Sequence, residues 1–402
     1  MAQPTIQIDC LIFGGGVAGL FTLNKCTELG YHALLLESNA LGHGQTIDSQ
    51  GIIHGGLKYE ITHGGHDSAV AIREMPTHWR RALAGESKLN LSDVQLRADN
   101  CYVWKTKSLT SRLGFFGAKM ALRVKPEVLD NEERPKWLSS KGITVARLAE
   151  QVIEPRSLLE VLSKKLEDRL LLTASGGVEI SKEDERWRVS LLNPQTGEPL
   201  NILANDIVLT AGSGNETLRT QFGLSSQATQ IRPLHMVLVR GNLPIINGHC
   251  IDGAKTRVTI TTTTDYAGRK VWQVGGQLAE DGVNMEPAQL ICHASKELHA
   301  TLPNFDLSQA EFLTYRSARA EQFAKGKRPQ DVSVESEQSV HTCFPTKLAF
   351  APRLAETIVT KLQPKAENGD SVYSKLGWPK PMVALPAWET DAIWNTPEVL
   401  CT

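Results

Sequence analysis

The sequence predicts an α/β fold in which a Rossmann-like nucleotide-binding domain carries an inserted antiparallel β-sheet domain. Residues 6–13 form a short run of β-formers that leads into a glycine-rich turn and a helical segment. This order opens a dinucleotide-binding fold. Further parallel-sheet patterns fall at 145–215 and 335–362, and a threonine-rich block of strands at 225–330 lies between them. The interleaving predicts one discontinuous domain with a second domain inserted into it.

The predicted domain boundaries follow from this interleaving. The nucleotide-binding domain combines residues 1–80, 145–225 and 335–362, and the substrate or cap domain combines residues 81–144 and 226–334. Residues 363–402 form a tail with three of the eight tryptophans, Trp378, Trp388 and Trp394. Aromatic side chains bury large areas, so the tail is expected to pack on the body of the protein.

The individual elements are predicted from hydrophobic periodicity and from helix-breaking residues. Helices are predicted at 20–29, 67–84, 109–124, 155–172, 286–300 and 348–362. Strands are predicted at 6–13, 32–36, 101–104, 178–180, 187–192, 202–210 and 311–318, and in three segments between 231 and 276. Pro155 suits the first turn of its helix, because a proline there loses no intrahelical hydrogen bond.

Composition excludes several classes of protein. The 402 residues are 41% hydrophobic and 22% charged, which is ordinary for a globular chain of two or three domains. The 43 basic and 44 acidic side chains give a net charge of −1, so a global basic field for nucleic acid is absent. Seven cysteines without a CxxC pair favour a reduced intracellular protein and give no zinc-ligand spacing. No secretory signal and no spanning segment are recognised, so we expect a cytoplasmic protein.

A nucleotide site is predicted at the first turn. Gly14, Gly16 and Gly19 have the spacing GxGxxG directly after a strand and at the start of a helix. In this pattern one glycine makes the turn, one lets the backbone approach a pyrophosphate, and one lets helix and strand pack closely. Glu37 ends the second strand, where a carboxylate can hold ribose hydroxyls and disfavours a 2′-phosphate. The alternative is a glycine-rich turn without a ligand.

The segment 42–59 indicates a flavin. Its string Ser49-Gln50-Gly51-Ile52-Ile53-His54-Gly55-Gly56-Leu57-Lys58-Tyr59 resembles the flavoprotein superfamily of D-amino-acid oxidase, glycerol-3-phosphate dehydrogenase and L-2-hydroxyglutarate dehydrogenase. Residues 156–166, 206–214 and 344–352 look like three further stretches of that superfamily. The resemblance implies a glutathione-reductase-type FAD-binding domain and FAD as the cofactor. One departure is Phe344-Pro345-Thr346, which stands where relatives have Gly-His-Gly.

The resemblance also implies which residues contact FAD. Besides the three glycines and Glu37, the expected set is Val17, Ala18, Ser38, Thr46, Ser49, Gln50, Gly51, Val178, Ala211, Gly212, Thr346, Lys347 and Leu348. Lys347 lies at a helix start, and a cation there would stabilise the negative charge of reduced flavin at N1–C2=O. The alternative for Lys347 is a solvated side chain.

Candidate catalytic residues come from the same loop and from the threonine-rich block. His54 can accept the proton of a substrate while hydride passes to flavin N5. A structural histidine and a covalent flavin tether are the alternatives. Lys58 and Tyr59 belong to the loop that lines flavin and substrate in relatives. Arg257, Arg316 and Arg319 lie in the block that forms the substrate floor in relatives, where an arginine would bind a carboxylate or phosphate.

These features predict an FAD-dependent dehydrogenase or oxidase acting on CH–OH or CH–NH groups. The expected substrate is a small, anionic hydroxy acid, polyol phosphate or amino acid, and the expected electron acceptor is oxygen, a quinone or a protein. The alternative is a non-catalytic FAD- or NAD-binding module used for assembly or regulation. Residues 109–125 are apolar and basic, so they form either an interfacial helix with peripheral membrane contact or a core helix with a basic outer face.

Overall fold

The computed structural model describes residues 5–55, 66–106, 127–139, 143–174, 176–252, 255–365 and 376–397. The α-helices in these ranges are α1 (Val17–Glu28), α2 (His66–Leu83), α3 (Pro155–Lys164), α4 (Asn215–Gln221), α5 (Gln277–Asp281), α6 (Pro287–Thr301) and α7 (Ala351–Val359). The strands are β1 (Thr5–Phe13), β2 (Ala33–Glu37), β3 (Leu96–Ala98), β4 (Cys101–Lys105), β5 (Glu127–Val128), β6 (Thr144–Leu148), β7 (Val152–Ile153), β8 (Leu170–Leu172), β9 (Val178–Glu183), β10 (Arg186–Leu192), β11 (Pro199–Leu209), β12 (Thr229–Gly241), β13 (Gly248–Asp252), β14 (Lys255–Thr264), β15 (Lys270–Gly275), β16 (Glu311–Gln322), β17 (Ser333–Glu337) and β18 (Val340–Phe344).

The first sheet has the order β17-β18-β11-β1-β2-β8, and β9 and β10 extend it alongside β11. β1 lies between β11 and β2 and pairs with both in parallel. Helices α1, α2, α3 and α7 contribute to the apolar core that covers one face of this sheet. Strands of a parallel sheet are covered on both faces, which explains the almost continuous burial of β1.

The second sheet has the order β16-β12-β15-β14-β13-β4-β6-β5. Its neighbours pair antiparallel, except that β13 and β4 are parallel. Helix α6 buries Leu290, Ile291 and Leu298 in the core of this sheet. The predicted α/β fold with an inserted antiparallel sheet is therefore confirmed, whereas the exact domain boundaries stay a prediction.

Several predicted elements have different bounds in the structure. The helix predicted over 155–172 ends at Lys164, and residues 170–172 form β8, which pairs with β2. Three leucines suit a buried parallel strand as well as a helix, so periodicity could not separate the two. The helix predicted over 348–362 begins as a 3₁₀ turn, Leu348–Phe350, and continues as α7. The helix predicted over 109–124 lies outside the described residues.

The tail packs on the body of the protein, as predicted. Trp378 is buried and its Nε1 donates to the carbonyl of Leu172 at 2.7 Å, and the Arg240 guanidinium lies 4.1 Å from the Trp394 ring centroid.

Cys292 is disulfide-bonded, so the expectation of reduced cysteines is wrong at that residue. In the described ranges, no helix combines the length and the hydropathy that crossing a membrane requires.

Candidate cofactor and substrate site

The glycine turn joins the carboxyl end of β1 to the start of α1. Gly14 has a φ of +101°, and a Cβ atom there would lie 2.6 Å from the Ala211 Cα atom. A Cβ atom on Gly19 would lie 2.0 Å from the Gly14 carbonyl oxygen. The close packing of strand and helix therefore requires glycine at both positions.

Two side chains from outside the turn hold its backbone. The Glu37 carboxylate, at the end of β2, accepts from the Gly15 amide at 2.6 Å and from the Asn39 amide at 2.8 Å. The Thr46 hydroxyl accepts from the Val17 amide at 3.1 Å, which satisfies one of the N–H groups that a helix leaves unpaired at its start. Loop 42–51 is thereby tied to the amino end of α1.

A cavity of about 910 Å³ extends from the glycine turn to the second sheet. Most of the residues that we predicted for the site line it. These are Gly14, Gly16, Val17, Ala18, Glu37, Ser38, Thr46, Ser49, Gln50, Gly51, His54, Val178, Ala211, Gly212, Arg316, Arg319, Thr346, Lys347 and Leu348. Gly19 lies behind the turn, and Lys58 and Tyr59 lie outside the described residues.

Among the described residues, Arg257 is the predicted catalytic residue that the structure does not bring to the cavity. Its guanidinium makes a bidentate pair with the Glu297 carboxylate of α6 at 3.0–3.1 Å. Val258 and Ile260 of β14 pack in the core with α6, and Arg257 reaches Glu297 of that helix where the register between β13 and β14 shifts. Arg257 therefore acts in holding α6 to the sheet and not as a ligand of the cavity.

Arg316 and Arg319 line the cavity from β16. Arg316 donates to the backbone carbonyls of Val283 at 2.8 Å and Met285 at 3.3 Å. Arg319 lies 3.4 Å from the Glu280 carboxylate. The same surface carries Arg232 and Arg328, which sequence reasoning missed because each is an isolated arginine in its segment.

The side chain of Gln50 fixes the loop against the second sheet. Its Nε2 donates to the carbonyls of Thr259 at 3.0 Å and Gln273 at 2.8 Å, so this amide is engaged by the sheet backbone although the residue lines the cavity. In return, the Gln273 amide donates to the Asp48 carbonyl at 2.7 Å, and the Ser317 hydroxyl donates to the Asp48 carboxylate at 2.8 Å. Burial raises the pKa of Asp48, and the bond from Ser317 opposes that rise.

The turn before α7 closes the cavity at its other side. Thr346 has a φ of +64° and donates its hydroxyl to the Asp331 carbonyl at 2.6 Å. The Lys347 ammonium lies 3.5 Å from the Gln330 carbonyl oxygen and 4.9 Å from the centroid of the Phe350 ring. The Trp79 indole of α2 donates to the Ala349 carbonyl at 3.0 Å, so the core of the first domain anchors this turn.

His54 is part of a buried cluster that the sequence did not reveal. Its Nδ1 lies 3.5 Å from Oε2 of Glu150, and Nε2 of His249 lies 3.7 Å from the same oxygen. The two rings stack with centroids 5.8 Å apart. Glu150 lies between β6 and β7, and His249 lies in β13. Neither residue belongs to a local sequence motif. The one feature of the sequence that could have indicated Glu150 is its position as an acidic residue next to short apolar strands.

Comparison with known proteins identifies the class. A family model described as DAO, FAD dependent oxidoreductase, matches residues 9–331, and the chain therefore belongs to this family of FAD-dependent oxidoreductases. A probable FAD-dependent oxidoreductase of Pseudomonas aeruginosa is 36% identical over 390 residues, which cover 96% of this chain and 98% of that protein.

Solved structures show the same architecture. The crystal structure of the FAD-dependent oxidoreductase from Pseudomonas aeruginosa has a TM-score of 0.79 at 33% identity, covering 96% of this chain and 99% of that chain. Glycine oxidase from Geobacillus kaustophilus has a TM-score of 0.65 at 12% identity, covering 92% and 98% of the two chains. L-alpha-glycerophosphate oxidase from Mycoplasma pneumoniae with FAD bound has a TM-score of 0.64 at 15% identity, covering 96% and 99%. At these low identities the last two show the fold alone.

FAD is the cofactor of this family, and the cavity fits it. The amino end of α1 opens onto the cavity beside Gly16 and can bind a pyrophosphate. Glu37 lies at the end of β2, where a ribose is held in nucleotide-binding folds of this type. Ser49 lines the same cavity, and its buried hydroxyl has no hydrogen-bond partner within the described residues. A buried polar atom of this kind needs a ligand or a water.

Proposed function

We propose that this FAD-dependent oxidoreductase oxidises a small anionic substrate, which is a hydroxy acid, a polyol phosphate or an amino acid, at a CH–OH or CH–NH group. The observation that carries the proposal is the charge of the cavity wall. Among the described residues that line the cavity, the cationic side chains are Arg232, Arg316, Arg319, Arg328 and Lys347, and the acidic ones are Glu37, Asp48 and Glu321. Glu280 also pairs with Arg319 and Arg328, and the positive charge that remains favours an anion.

Arg316 is the best candidate for contacting the anionic group. It lies on the exposed side of the cavity wall. Within the described residues its hydrogen bonds go to two backbone carbonyls and not to a carboxylate, so its charge remains available to a ligand. Arg232, in contrast, is bound bidentately by Glu321 at 2.6–2.8 Å. A guanidinium binds a carboxylate or a phosphate through two parallel N–H bonds.

The chemistry assigned to this chain is acid–base work beside the flavin. Bound FAD supplies a hydride acceptor at N5. His54 takes the proton of the substrate hydroxyl or amino group, so that the carbon that loses hydride gains a C=O or C=N bond. Two electrons leave with the hydride and one proton goes to the imidazole, which balances the oxidation. General base catalysis of this type is typically worth ~10²–10⁴-fold in rate.

The names of two relatives illustrate the substrate classes. Glycine oxidase acts on an amino acid, and L-alpha-glycerophosphate oxidase acts on a polyol phosphate. Both substrates are small and carry an anionic group next to the carbon chain. The cationic wall is compatible with either class, so the choice between them is made by experiment.

The test is anaerobic bleaching of the yellow holoenzyme. The panel pairs each anion with a neutral analogue: glycerol 3-phosphate with glycerol, glycine and L-proline with their amides, and L-lactate with lactamide. We expect one anion to reduce the flavin and its neutral analogue to fail. Arg316→Ala should raise the half-saturating concentration of that anion at least tenfold, and the matched variant Arg257→Ala should not. Bleaching by neutral analogues only, or equal effects of the two variants, would contradict the proposal.

The electron acceptor is decided in a second half-reaction. Once a reducing substrate is known, hydrogen peroxide formed in air is compared with reduction of a soluble quinone and of a dye that accepts electrons from proteins. Stoichiometric peroxide identifies an oxidase. Rapid reduction of the quinone with little peroxide identifies a dehydrogenase.

A further inference from the structure

We propose that Glu150 is a positioning residue that fixes the His54 imidazole with its proton on Nδ1, so that Nε2 is the basic nitrogen offered to the substrate. His249 orients the carboxylate from the opposite side. This inference rests on the proposed role of His54 as the base. It assigns to the buried side chains of Glu150 and His249 the joint role of orienting that base.

The two oxygens of Glu150 have different partners. Oε1 accepts from the backbone amide of Gly55 at 2.7 Å, which ties the carboxylate to the loop that carries His54. Oε2 faces both imidazoles, with His54 Nδ1 at 3.5 Å and His249 Nε2 at 3.7 Å. These are ion-pair distances slightly longer than a hydrogen bond, as is common for catalytic contacts before a substrate binds. One oxygen therefore fixes the backbone and the other fixes the rings.

Burial makes the charge of Glu150 dependent on these rings. Its side chain is only 6% exposed, and within the described residues its ion-pair partners are the two histidines. Burial opposes the charged form, but the interactions with His249 and then His54 outweigh it and hold the pKa of Glu150 well below its usual range. A buried carboxylate that stays ionised requires N–H donors. Each imidazole therefore has to turn an N–H towards Oε2.

The same requirement decides the tautomers. His249 can present its Nε2–H to Glu150 because its other nitrogen, Nδ1, lies 2.9 Å from the Thr259 hydroxyl, which is able to donate to it. His54 presents Nδ1–H, and its Nε2 has no hydrogen-bond partner in the parts of the chain that the structure describes. The His54 side chain is 24% exposed and lines the cavity. Its Nε2 is therefore available as the acceptor for the substrate proton.

The carboxylate also stabilises the product of the proton transfer. When Nε2 takes the substrate proton, the imidazole becomes an imidazolium whose Nδ1–H still faces the Glu150 charge. The Cys101 thiol also responds to Glu150. Burial first, and the Glu150 charge second, raise the pKa of its thiol well above the usual range, so it stays neutral and leaves the charge pair undisturbed.

The substitution Glu150→Gln tests the tautomer directly. The amide oxygen of glutamine can keep the bond from the Gly55 amide, and its NH₂ group then replaces the oxygen that faces the imidazoles. A donor at that place favours His54 with a bare Nδ1 and with the proton on Nε2. We expect nitrogen NMR of the ¹⁵N-histidine-labelled holoenzyme to show the Nδ1–H tautomer for His54 in the wild type and the Nε2–H tautomer in Glu150→Gln. His54→Gln and His249→Gln assign the signals.

A matched control exists in the first sheet. Asp206 and His341 form another buried carboxylate–imidazole pair, with Oδ1 and Nε2 3.0 Å apart, and neither residue lines the cavity. Asp206→Asn removes a buried charge of the same kind. We expect it to lower thermal stability and to leave the His54 signals unchanged.

Kinetics form the second readout, with whichever panel compound bleaches the flavin fastest. Glu150→Gln should slow flavin reduction by up to the ~10²–10⁴-fold that a general base supplies, and it should move the acid limb of the pH–rate profile to lower pH, because no charge then stabilises the imidazolium. Glu150→Asp restores the charge and should recover part of both effects. A residue that only tied down Gly55 would change neither the profile nor the tautomer.

Three results would overturn the inference. The first is a wild-type His54 that carries its proton on Nε2, a result that does not depend on how Glu150→Gln folds. The second is an unchanged pH–rate profile in Glu150→Gln with full FAD content. The third is one equivalent of a divalent metal in the purified protein. The potential ligand atoms of His54, Glu150 and His249 lie within 4.8 Å of one another. A metal bound to Nδ1 of His54 would exclude the proton that the inference places there. Failure of every panel compound would contradict the proposed substrate class but would leave the tautomer result intact.

Discussion

The substitution Gly16→Val separates cofactor binding from folding at the glycine turn. Gly16 has φ −72° and ψ −179°, which is extended backbone open to any residue. A Cβ atom there would meet only the Thr46 hydroxyl, at 3.2 Å. We therefore expect the free energy of unfolding of the protein without FAD to change by about 1 kcal/mol or less, as for an ordinary tolerated substitution.

The effect on FAD should be much larger. The valine side chain would occupy the space at the amino end of α1 where the pyrophosphate approaches the backbone. Charge-assisted hydrogen bonds are worth about 1.5–3 kcal/mol each. Loss of one or two of them, about 1.5–6 kcal/mol in all, corresponds to a dissociation constant of FAD that rises about 10-fold to about 3 × 10⁴-fold.

The assay is fluorescence titration of the apoprotein with FAD, combined with thermal unfolding of the same samples. Gly14→Ala is the contrasting control, because its φ of +101° and its 2.6 Å approach to the Ala211 backbone predict a loss of stability even without FAD. A Gly16→Val protein that binds FAD with wild-type affinity, or one that unfolds like Gly14→Ala, would refute the reasoning.

Three further predictions concern the flavin environment. If Lys347 faces the N1–C2=O edge, Lys347→Met lowers the midpoint potential of the bound flavin with FAD content unchanged, and an unchanged potential returns Lys347 to the surface. His54→Ala should keep the yellow colour but lose most of the flavin-reduction rate, measured by stopped flow. Acid precipitation of the wild-type protein should release all of its FAD, and flavin that stays with the precipitate would show a covalent link. Trp79→Phe leaves the buried Ala349 carbonyl without its donor and should cost about 1–3 kcal/mol in thermal or denaturant unfolding, and a stability equal to wild type would show that the turn before α7 does not depend on this bond.

Local patterns were sufficient wherever the relevant residues are close in sequence. The turn from Gly14 to Gly19 and the carboxylate of Glu37 lie within one strand–helix–strand unit, so their spacing already implies their geometry. Loop 42–51 and the turn at 344–348 were identified by resemblance for the same reason, since each is a contiguous string. The family and its FAD cofactor could be predicted from these segments.

Sheet pairing decided what periodicity could not. The leucines of β8 fit a helix or a strand by sequence, and they form a strand because the edge of β2 is open to parallel pairing at that point. The sequence places Arg257 in the threonine-rich block of strands, but it does not show which element lies beside that side chain. Only the packing of α6 and the position of Glu297 removed Arg257 from the site.

The sequence by itself determined the α/β class, the glycine turn, the flavin-type loop and His54 as a candidate base, because each depends on residues that are neighbours in the chain. Which side chains surround His54 was decided by the tertiary structure alone. Glu150 and His249 come from segments that are far apart in sequence and meet only where the loop after β2 lies against the second sheet. A buried carboxylate is tolerated there because two imidazoles and one backbone amide converge on it. The convergence of these groups on Glu150 depends on how the sheets pack, so it cannot be predicted from a local sequence pattern.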